Sequence, residues 1–201
     1  MRLFVAAVPP APVLDHLELA LASVRSPHLP DDARSSLRWA PPEDRHLTLA
    51  FFGEVSAGEA EALTEGLEAV AAERMPLELR LRGAGVFDRR IFWIGCGGDV
   101  SALAGLSAAC VDLGRDVTGR DDHRVRSRAH LTVARVRGAS RGSSADEVSP
   151  LAHALAVYEG PSWRLDEIVL VSSRPGEGRG GGPAYERAAG LGLSGVPGAR
   201  P

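Results

Sequence analysis

The hydrophobic pattern of this chain changes repeatedly between the period of a helix and the period of a strand. Apolar residues recur at helical spacing in several segments; Leu63, Leu67 and Val70, separated by good helix formers, are one example. We predict helices over 12–24, 57–73 and 100–113, with a short fourth helix near 146–156.

Strands are predicted where apolar residues run without interruption or alternate with charged ones. Leu77, Leu79 and Leu81 alternate with charged residues, which predicts a half-exposed strand, and an apolar segment follows it after a turn at 88–89. These two segments predict a hairpin. The predicted strands are 2–8, 37–40, 46–52, 77–81, 91–94, 129–136, 163–172 (interrupted at 166–167) and a short one around Tyr185. The predicted loops are 26–36, 114–128, 138–144 and 176–182.

Two of these strands carry the same pattern of His, Leu, Thr and an aliphatic residue, at 46–49 and 130–133. Side chains alternate between the two faces of a strand, so each His shares a face with the Thr two residues later. A lone His in a strand is more often structural than catalytic, but here two of only six His occur in one context. If the strands are neighbours, two imidazoles and two hydroxyls converge on one candidate active site.

Composition is that of a soluble globular protein, with 44% hydrophobic residues, 24% charged residues and a net charge of -3. It excludes a broadly basic surface for long nucleic acids, so any nucleic-acid contact is expected to be local, at an end or a single nucleotide. The first apolar run ends at Pro9-Pro10 and is too short for a signal peptide or a membrane span. Cys96 and Cys110 lack the spacing of a zinc site. We expect a cytoplasmic monomer that makes no membrane contact.

All 23 basic residues are Arg, and the chain contains no Lys, Asn or Gln. A ligase that works through a lysyl adenylate is therefore excluded, as is a phosphate-binding loop that requires Lys. Phosphate must be bound by Arg, His, Thr, Ser or backbone amides. No Asp or Glu occurs from 123 to 144, where we expect a local basic field formed by Arg124, Arg126, Arg128, Arg135, Arg137 and Arg141.

The twin motifs favour acid–base chemistry on a phosphodiester. One neutral imidazole can deprotonate the nucleophile while a protonated one protonates the leaving oxygen, and the Thr hydroxyls can donate to non-bridging oxygens. This chemistry requires neither a metal nor another cofactor, and we predict none. A metal site is less favoured, because His123 and His153 lack carboxylate or thiol partners at ligand spacing.

The paired motifs, together with segments 2–6, 39–53, 92–94 and 170–173 and the later Tyr185-Glu186, resemble the two-histidine phosphoesterases. Within this superfamily the chain resembles the bacterial RNA 2',3'-cyclic phosphodiesterases, once called 2'-5' RNA ligases. The resemblance implies an α+β, bilobal fold in which two antiparallel sheets face each other across a central cleft with helices outside. We expect one such domain over 1–190 and a flexible C-terminal tail over 191–201.

The resemblance also implies hydrolysis of a 2',3'-cyclic phosphate at an RNA end to a 2'-phosphate. The resemblance implies that His46 is the proton donor and His130 the proton acceptor. It also implies that the hydroxyls of Thr48 and Thr132 bind the phosphate. Arg135 fits as a further phosphate ligand, but by strict alternation it points away from His130 and reaches the phosphate only if the strand bulges or twists. A proline is usual next to the second His, and its replacement by Arg128-Ala129 leaves the path of the chain into this strand open.

Two other functions remain open at this point. The first is the same chemistry on a substrate other than an RNA end, such as a cyclic nucleotide, an ADP-ribose cyclic phosphate or an oligoadenylate. Base selection depends on loops such as 26–36 and 114–128, so the motifs do not distinguish these substrates. A nucleotide-binding module without turnover is disfavoured, since binding alone needs only the Thr and Arg donors.

Overall fold

The structure is a computed structural model that describes residues 1–25, 37–121, 128–136 and 148–195. Within these residues the helices are α1 Ala11–Val24, α2 Ala57–Ala72, α3 Val100–Thr118 and α4 Ser149–Ala154. The strands are β1 Arg2–Ala7, β2 Leu37–Trp39, β3 Leu47–Glu54, β4 Leu77–Phe87, β5 Ile91–Gly98, β6 His130–Val136, β7 Glu159–Leu165, β8 Glu167–Arg174 and β9 Ala184–Gly192. None of the described helices is both long enough and apolar enough to cross a membrane.

The nine described strands form two antiparallel groups that join into one continuous sheet. Strands β3, β1, β8 and β9 form the sheet of the first lobe, and β6, β5, β4 and β7 form the sheet of the second, with β2 added beside β6. Helices α2 and α3 pack on the first lobe, and α1 and α4 on the second. The expected α+β bilobal fold is confirmed. Within the described residues the two sheets are joined at one matched pair, Leu47 of β3 and Leu131 of β6.

The sequence at the start of α2 explains why the helix begins there. The Ser56 side chain accepts from the Glu59 N–H, and the Glu59 carboxylate accepts from the Ser56 N–H, which is a capping box. The stripe of Leu63, Leu67 and Ala71 that follows is fully buried, and α2 packs against α3 and β9. Burial of this stripe, more than intrinsic propensity, stabilises the helix.

Helix α3 continues past the predicted end at residue 113. Gly114 lies inside the helix because its missing side chain admits Phe52 of β3: a Cβ at position 114 would lie 2.7 Å from a ring carbon of Phe52. The helix ends at Thr118, where Gly119 follows with φ of 64°. The predicted loop 114–128 was therefore wrong over its first residues, and 122–127 lie outside the described residues.

The predicted strand 163–172 is two strands in different lobes. β7 pairs with β4 of the second lobe, and β8 pairs with β1 of the first. Asp166 lies between them, and its carbonyl accepts from the N–H of Leu193 at 2.7 Å. The chain crosses between the lobes at this residue, which a hydrophobic pattern cannot reveal because both strands are apolar and nearly contiguous.

The described C-terminal segment is longer than predicted. Strand β9 continues to Gly192, and both Leu191 and Leu193 are buried. The predicted domain boundary at residue 190 therefore falls inside a strand. Residues 196–201 of the expected tail lie outside the described residues.

Candidate active site

The matched pair that joins the lobes also fixes the relative position of the two motifs. Leu47 lies between His46 and Thr48, and Leu131 lies between His130 and Thr132, so the pairing of the two leucines places the two motifs side by side in antiparallel directions. The leucines between them are fully buried on one face of the sheet. The two His and two Thr therefore share the other face, and all four line one cleft of about 980 Å³ between the lobes.

The two imidazoles are held in the same way. The Nδ1 of His46 lies 2.8 Å from the carbonyl oxygen of Asp44, and the Nδ1 of His130 lies 3.0 Å from the carbonyl oxygen of Arg128. A carbonyl oxygen can only accept, so in each ring Nδ1 carries the hydrogen. In both neutral rings Nε2 is then the nitrogen that exchanges protons. The pair Arg128-Ala129 thus gives His130 the same carbonyl contact that His46 has.

Aromatic rings fix the planes of both imidazoles. The His46 ring lies 4.7 Å from the ring of Phe4 on β1 and meets Tyr185 of β9 edge-on at 5.2 Å. The His130 ring meets Phe87, the last residue of β4, edge-on at 4.8 Å. Each lobe therefore surrounds its own His with aromatic side chains, which restricts ring rotation and excludes water from one side.

The surroundings of His46 favour its neutral form. Desolvation lowers the pKa of His46 to about 4; the hydrogen bond to the Asp44 carbonyl opposes this shift, and the positive charges of Arg135 and His130 add to it. At pH 7 His46 is therefore a neutral imidazole. Any role that requires a protonated His46 depends on a negative charge brought by the ligand.

Arg135 reaches the cleft because β6 bulges. In the register of β5 and β6, Trp93 lies opposite Thr132. The preceding residue of β5, Phe92, lies opposite Ala134, so β6 carries one extra residue at this point. The extra residue reverses the alternation that would have turned Arg135 away.

The position of the Arg135 side chain follows from this bulge. Its residue lines the same cleft as His130 and Thr132, and its charge lowers the pKa of His46 on the other lobe. Strand β6 therefore has the bulge that Arg135 needs in order to face the same cleft as His130.

Comparison with known proteins agrees with this geometry. The family model described as LigT like Phosphoesterase matches residues 9–93. An RNA 2',3'-cyclic phosphodiesterase of Geobacillus stearothermophilus is 34% identical over 180 residues, which cover 84% of this chain and 52% of that protein. The chain is thus similar to the LigT-like phosphoesterases over its first half and to a named phosphodiesterase over most of its length. The resemblance to the two-histidine phosphoesterases is confirmed, although the chain spans about half the length of that relative.

Other LigT-like relatives and structures extend the match. An RNA 2',3'-cyclic phosphodiesterase of Aquifex aeolicus is 22% identical over 68% of this chain and 72% of that protein. TT0787 of Thermus thermophilus has a TM-score of 0.73 at 23% identity, over 97% of this chain and 99% of that one. E. coli LigT in complex with 3'-AMP has a TM-score of 0.67 at 23% identity, over 96% and 97%. The structural matches establish the fold.

A buried ion pair supports the segment that leads into His46. The side chain of Arg45 is fully buried, forms an ion pair with Glu18 of α1, and donates from Nε and Nη2 to the Ala40 carbonyl at 3.1 and 2.9 Å. Glu18 also pairs with Arg25 at 2.9 Å. Desolvation raises the pKa of Glu18, but Arg45 and Arg25 outweigh it, and the net pKa is lowered. The ion pair thus connects a helix of one lobe to the segment that enters the motif strand of the other.

Some predicted features lie apart from the site. Arg124, Arg126, Arg137, Arg141 and His123 lie outside the described residues, so the expected basic field is represented by Arg128 and Arg135, both exposed. His153 is exposed on α4. No group of three His, Cys, Asp or Glu residues in the described part of the chain is placed to hold a metal ion.

Sequence reasoning missed several residues of the site, namely Phe4, Phe87, Asp44, Arg45 and Arg38. The first two are apolar strand residues that resemble core, and Asp44 contributes through its carbonyl, which no side-chain pattern reveals. An arginine beside a motif is normally solvent-exposed, so the burial of Arg45 carried no signal. Arg38 alternates with Leu37 and Trp39, and this alternation could have placed it on the cleft face.

Proposed function

We propose that this chain hydrolyses a 2',3'-cyclic phosphate at an RNA end to a 2'-phosphomonoester, without a metal. The observation that carries the proposal is the pair of imidazoles on one cleft face, each with its Nδ1 hydrogen bound to a backbone carbonyl, which makes Nε2 the nitrogen that exchanges protons. Two LigT-like relatives named RNA 2',3'-cyclic phosphodiesterase support the substrate.

The proton balance assigns one step to each imidazole. His130 takes a proton from the attacking water through Nε2, and the hydroxide forms the new bond to phosphorus. His46 gives its Nε2 proton to the 3'-oxygen as the bond from phosphorus to that oxygen breaks. The 2'-oxygen keeps the phosphate, and exchange with solvent restores the starting protonation states.

The low pKa of His46 makes its protonation depend on the substrate. A cyclic phosphodiester carries one negative charge, and a negative charge beside an imidazole raises its pKa. Substrate binding therefore supplies the condition under which His46 becomes a proton donor. The Thr48 and Thr132 hydroxyls and the Arg135 guanidinium stabilise the non-bridging oxygens, where negative charge develops in the transition state.

The test is a turnover assay with the single variants His46→Ala and His130→Ala. The substrates are a short RNA ending in a 2',3'-cyclic phosphate and adenosine 2',3'-cyclic phosphate. Each variant should lose about 10²- to 10⁴-fold in kcat, the usual contribution of a general acid or base. Both leucines of the motifs stay buried, so melting should change little.

The matched control is His153→Ala, which removes an exposed imidazole on α4. Its rate should equal that of the unmodified protein. Near-normal turnover by either motif variant would contradict the assignment, and binding without turnover by the unmodified protein would favour a nucleotide-binding module.

A further inference from the structure

The cleft contains more positive charge than one phosphate requires. Four arginines line it, against two carboxylates: Arg2, Arg38, Arg135 and Arg179 against Asp44 and Asp88. Arg179 is paired with Glu43 at 3.9 Å, and Arg2 lies over the ring of Phe51 at 4.8 Å. The other two arginines, Arg38 and Arg135, lie side by side.

These two arginines are direct cross-strand neighbours. In the pairing of β2 with β6, Arg38 lies opposite Arg135, so both side chains emerge from the same face of the sheet. Like charges in this arrangement destabilise a sheet. Arg38 makes no ion pair within 4 Å among the described residues, although it is half-buried. A second negative charge on the ligand would pair with Arg38.

The glycine-rich turn that follows β8 receives the Arg38 side chain. A Cβ built on Gly182 would lie 3.4 Å from a terminal nitrogen of Arg38, so the guanidinium lies directly over this glycine. The charges of Arg135, Arg38 and Arg2 all reach the Tyr185 hydroxyl and oppose the rise in its pKa that desolvation causes. Arg38 is thus positioned along the cleft wall beside the ring that contacts His46.

We propose that Arg38 forms a second phosphate subsite, which binds the 5'-phosphate of the nucleotide whose 2',3'-cyclic phosphate is hydrolysed. The inference rests on the proposed function. Arg135 and Arg38 are one strand spacing apart, about 4.8 Å, and consecutive phosphates of an RNA strand are separated by one ribose. The subsite therefore selects chain-linked or 5'-phosphorylated ends over free nucleoside cyclic phosphates.

The experiment compares two substrates that differ by one phosphate. These are adenosine 2',3'-cyclic phosphate with a free 5'-hydroxyl and the same compound with a 5'-phosphate. The ratio of their kcat/KM values is measured for the unmodified protein and for Arg38→Gln. We expect about tenfold preference for the 5'-phosphate, falling to near one in the variant. Arg164→Gln, on the exposed edge strand β7, is the charge-matched control and should retain the ratio.

Two further measurements test the subsite even if Arg38→Gln does not fold. One uses the variant Arg38→Lys, and the other varies the salt concentration. The lysine variant keeps the charge without the fork of guanidinium donors and should give an intermediate ratio. In the unmodified protein the ratio should fall as salt is raised. A ratio near one in the unmodified protein, or one that Arg38→Gln leaves intact, would overturn the subsite.

Failure of the proposed function is a separate outcome. If neither compound is hydrolysed and a short RNA ending in a 2',3'-cyclic phosphate is not hydrolysed either, the proposed function fails, and calorimetric binding of the two compounds to the unmodified protein and Arg38→Gln still decides the subsite. Tighter binding of the 5'-phosphorylated compound that Arg38→Gln abolishes supports it; equal binding of both compounds contradicts it.

Discussion

At the scale of single residues, the site depends on groups that hold the histidines as much as on the histidines themselves. His46 receives one carbonyl contact, two aromatic neighbours and, through Arg45, a buried connection to α1. Desolvation by these surroundings is what lowers its pKa. The same contacts that orient the ring therefore also set its protonation state.

The pKa of His46 predicts how stability depends on pH. In the folded protein it is about 4, below the ordinary 6.5. The unfolded chain therefore binds more protons between these values, and the free energy of unfolding should decrease as the pH is lowered from about 6.5 to about 4. The decrease from this residue is at most about 3 to 4 kcal/mol. His46→Phe, which keeps an aromatic ring but has no titrating group, should remove this part of the dependence in urea unfolding.

The same pKa shapes the pH dependence of turnover. The imidazoles of His46 and His130 titrate as a coupled pair, and the active form carries one proton. A plot of kcat/KM against pH should be bell-shaped, with the acidic limb close to the His46 value of about 4. An acidic limb near pH 6.5 would show that His46 is not desolvated in the free protein.

The ion pair of Arg45 predicts a stability effect far from the chemistry. Glu18→Gln leaves the buried guanidinium of Arg45 without its carboxylate, which should lower the free energy of unfolding by about 3 kcal/mol. Asp15→Asn, an exposed change on the same helix, is the matched control and should alter it by less than about 0.5 kcal/mol. Equal effects of the two variants in urea unfolding would contradict the proposed importance of the pair.

At the scale of elements, most helices and the 77–98 hairpin follow directly from periodicity and turn residues. The failures have local causes that periodicity does not contain. Gly114 continues a helix because Phe52 occupies the space its side chain would fill, and Asp166 separates two strands that belong to different lobes. The convergence of the two motif strands was predictable from their repetition, whereas the matched pair between them was not.

The bulge in β6 determines on which face of the strand Arg135 lies. It turns Arg135 to the cleft face, where the proposed charged hydrogen bond to the substrate phosphate would contribute about 1.5–3 kcal/mol. Arg135→Gln should therefore reduce kcat/KM about 10- to 100-fold for the cyclic phosphate. Arg115→Gln, on α3, should leave it unchanged. An unchanged kcat/KM for Arg135→Gln would remove this residue from the phosphate site.

At the scale of the whole molecule, two sheets with separate helices behind them meet along one matched pair, and the cleft forms at this junction. The net charge of -3 hides the positive character of the cleft, because the acidic residues lie mainly elsewhere on the surface. Overall composition therefore excluded a broad nucleic-acid surface but could not locate the arginine-lined cleft. Contacts between residues distant in sequence place these arginines together.

The complete set of groups in the cleft allows the proposed reaction to proceed without a metal ion. Imidazoles, hydroxyls and arginine account for each proton and each developing charge in the proposed reaction. Turnover should therefore be unchanged after dialysis against EDTA. Loss of activity that a divalent ion restores would contradict the proposed mechanism.

The position of the phosphate in the product tests the account most directly. A short RNA ending in a 2',3'-cyclic phosphate is digested to completion, and the ends are treated with a 3'-specific phosphatase. Protonation of the 3'-oxygen by His46 predicts 2'-phosphate ends that resist this enzyme. Ends that are mainly 3'-phosphate, and so lose their phosphate, would contradict the assigned orientation of the substrate between His46 and His130.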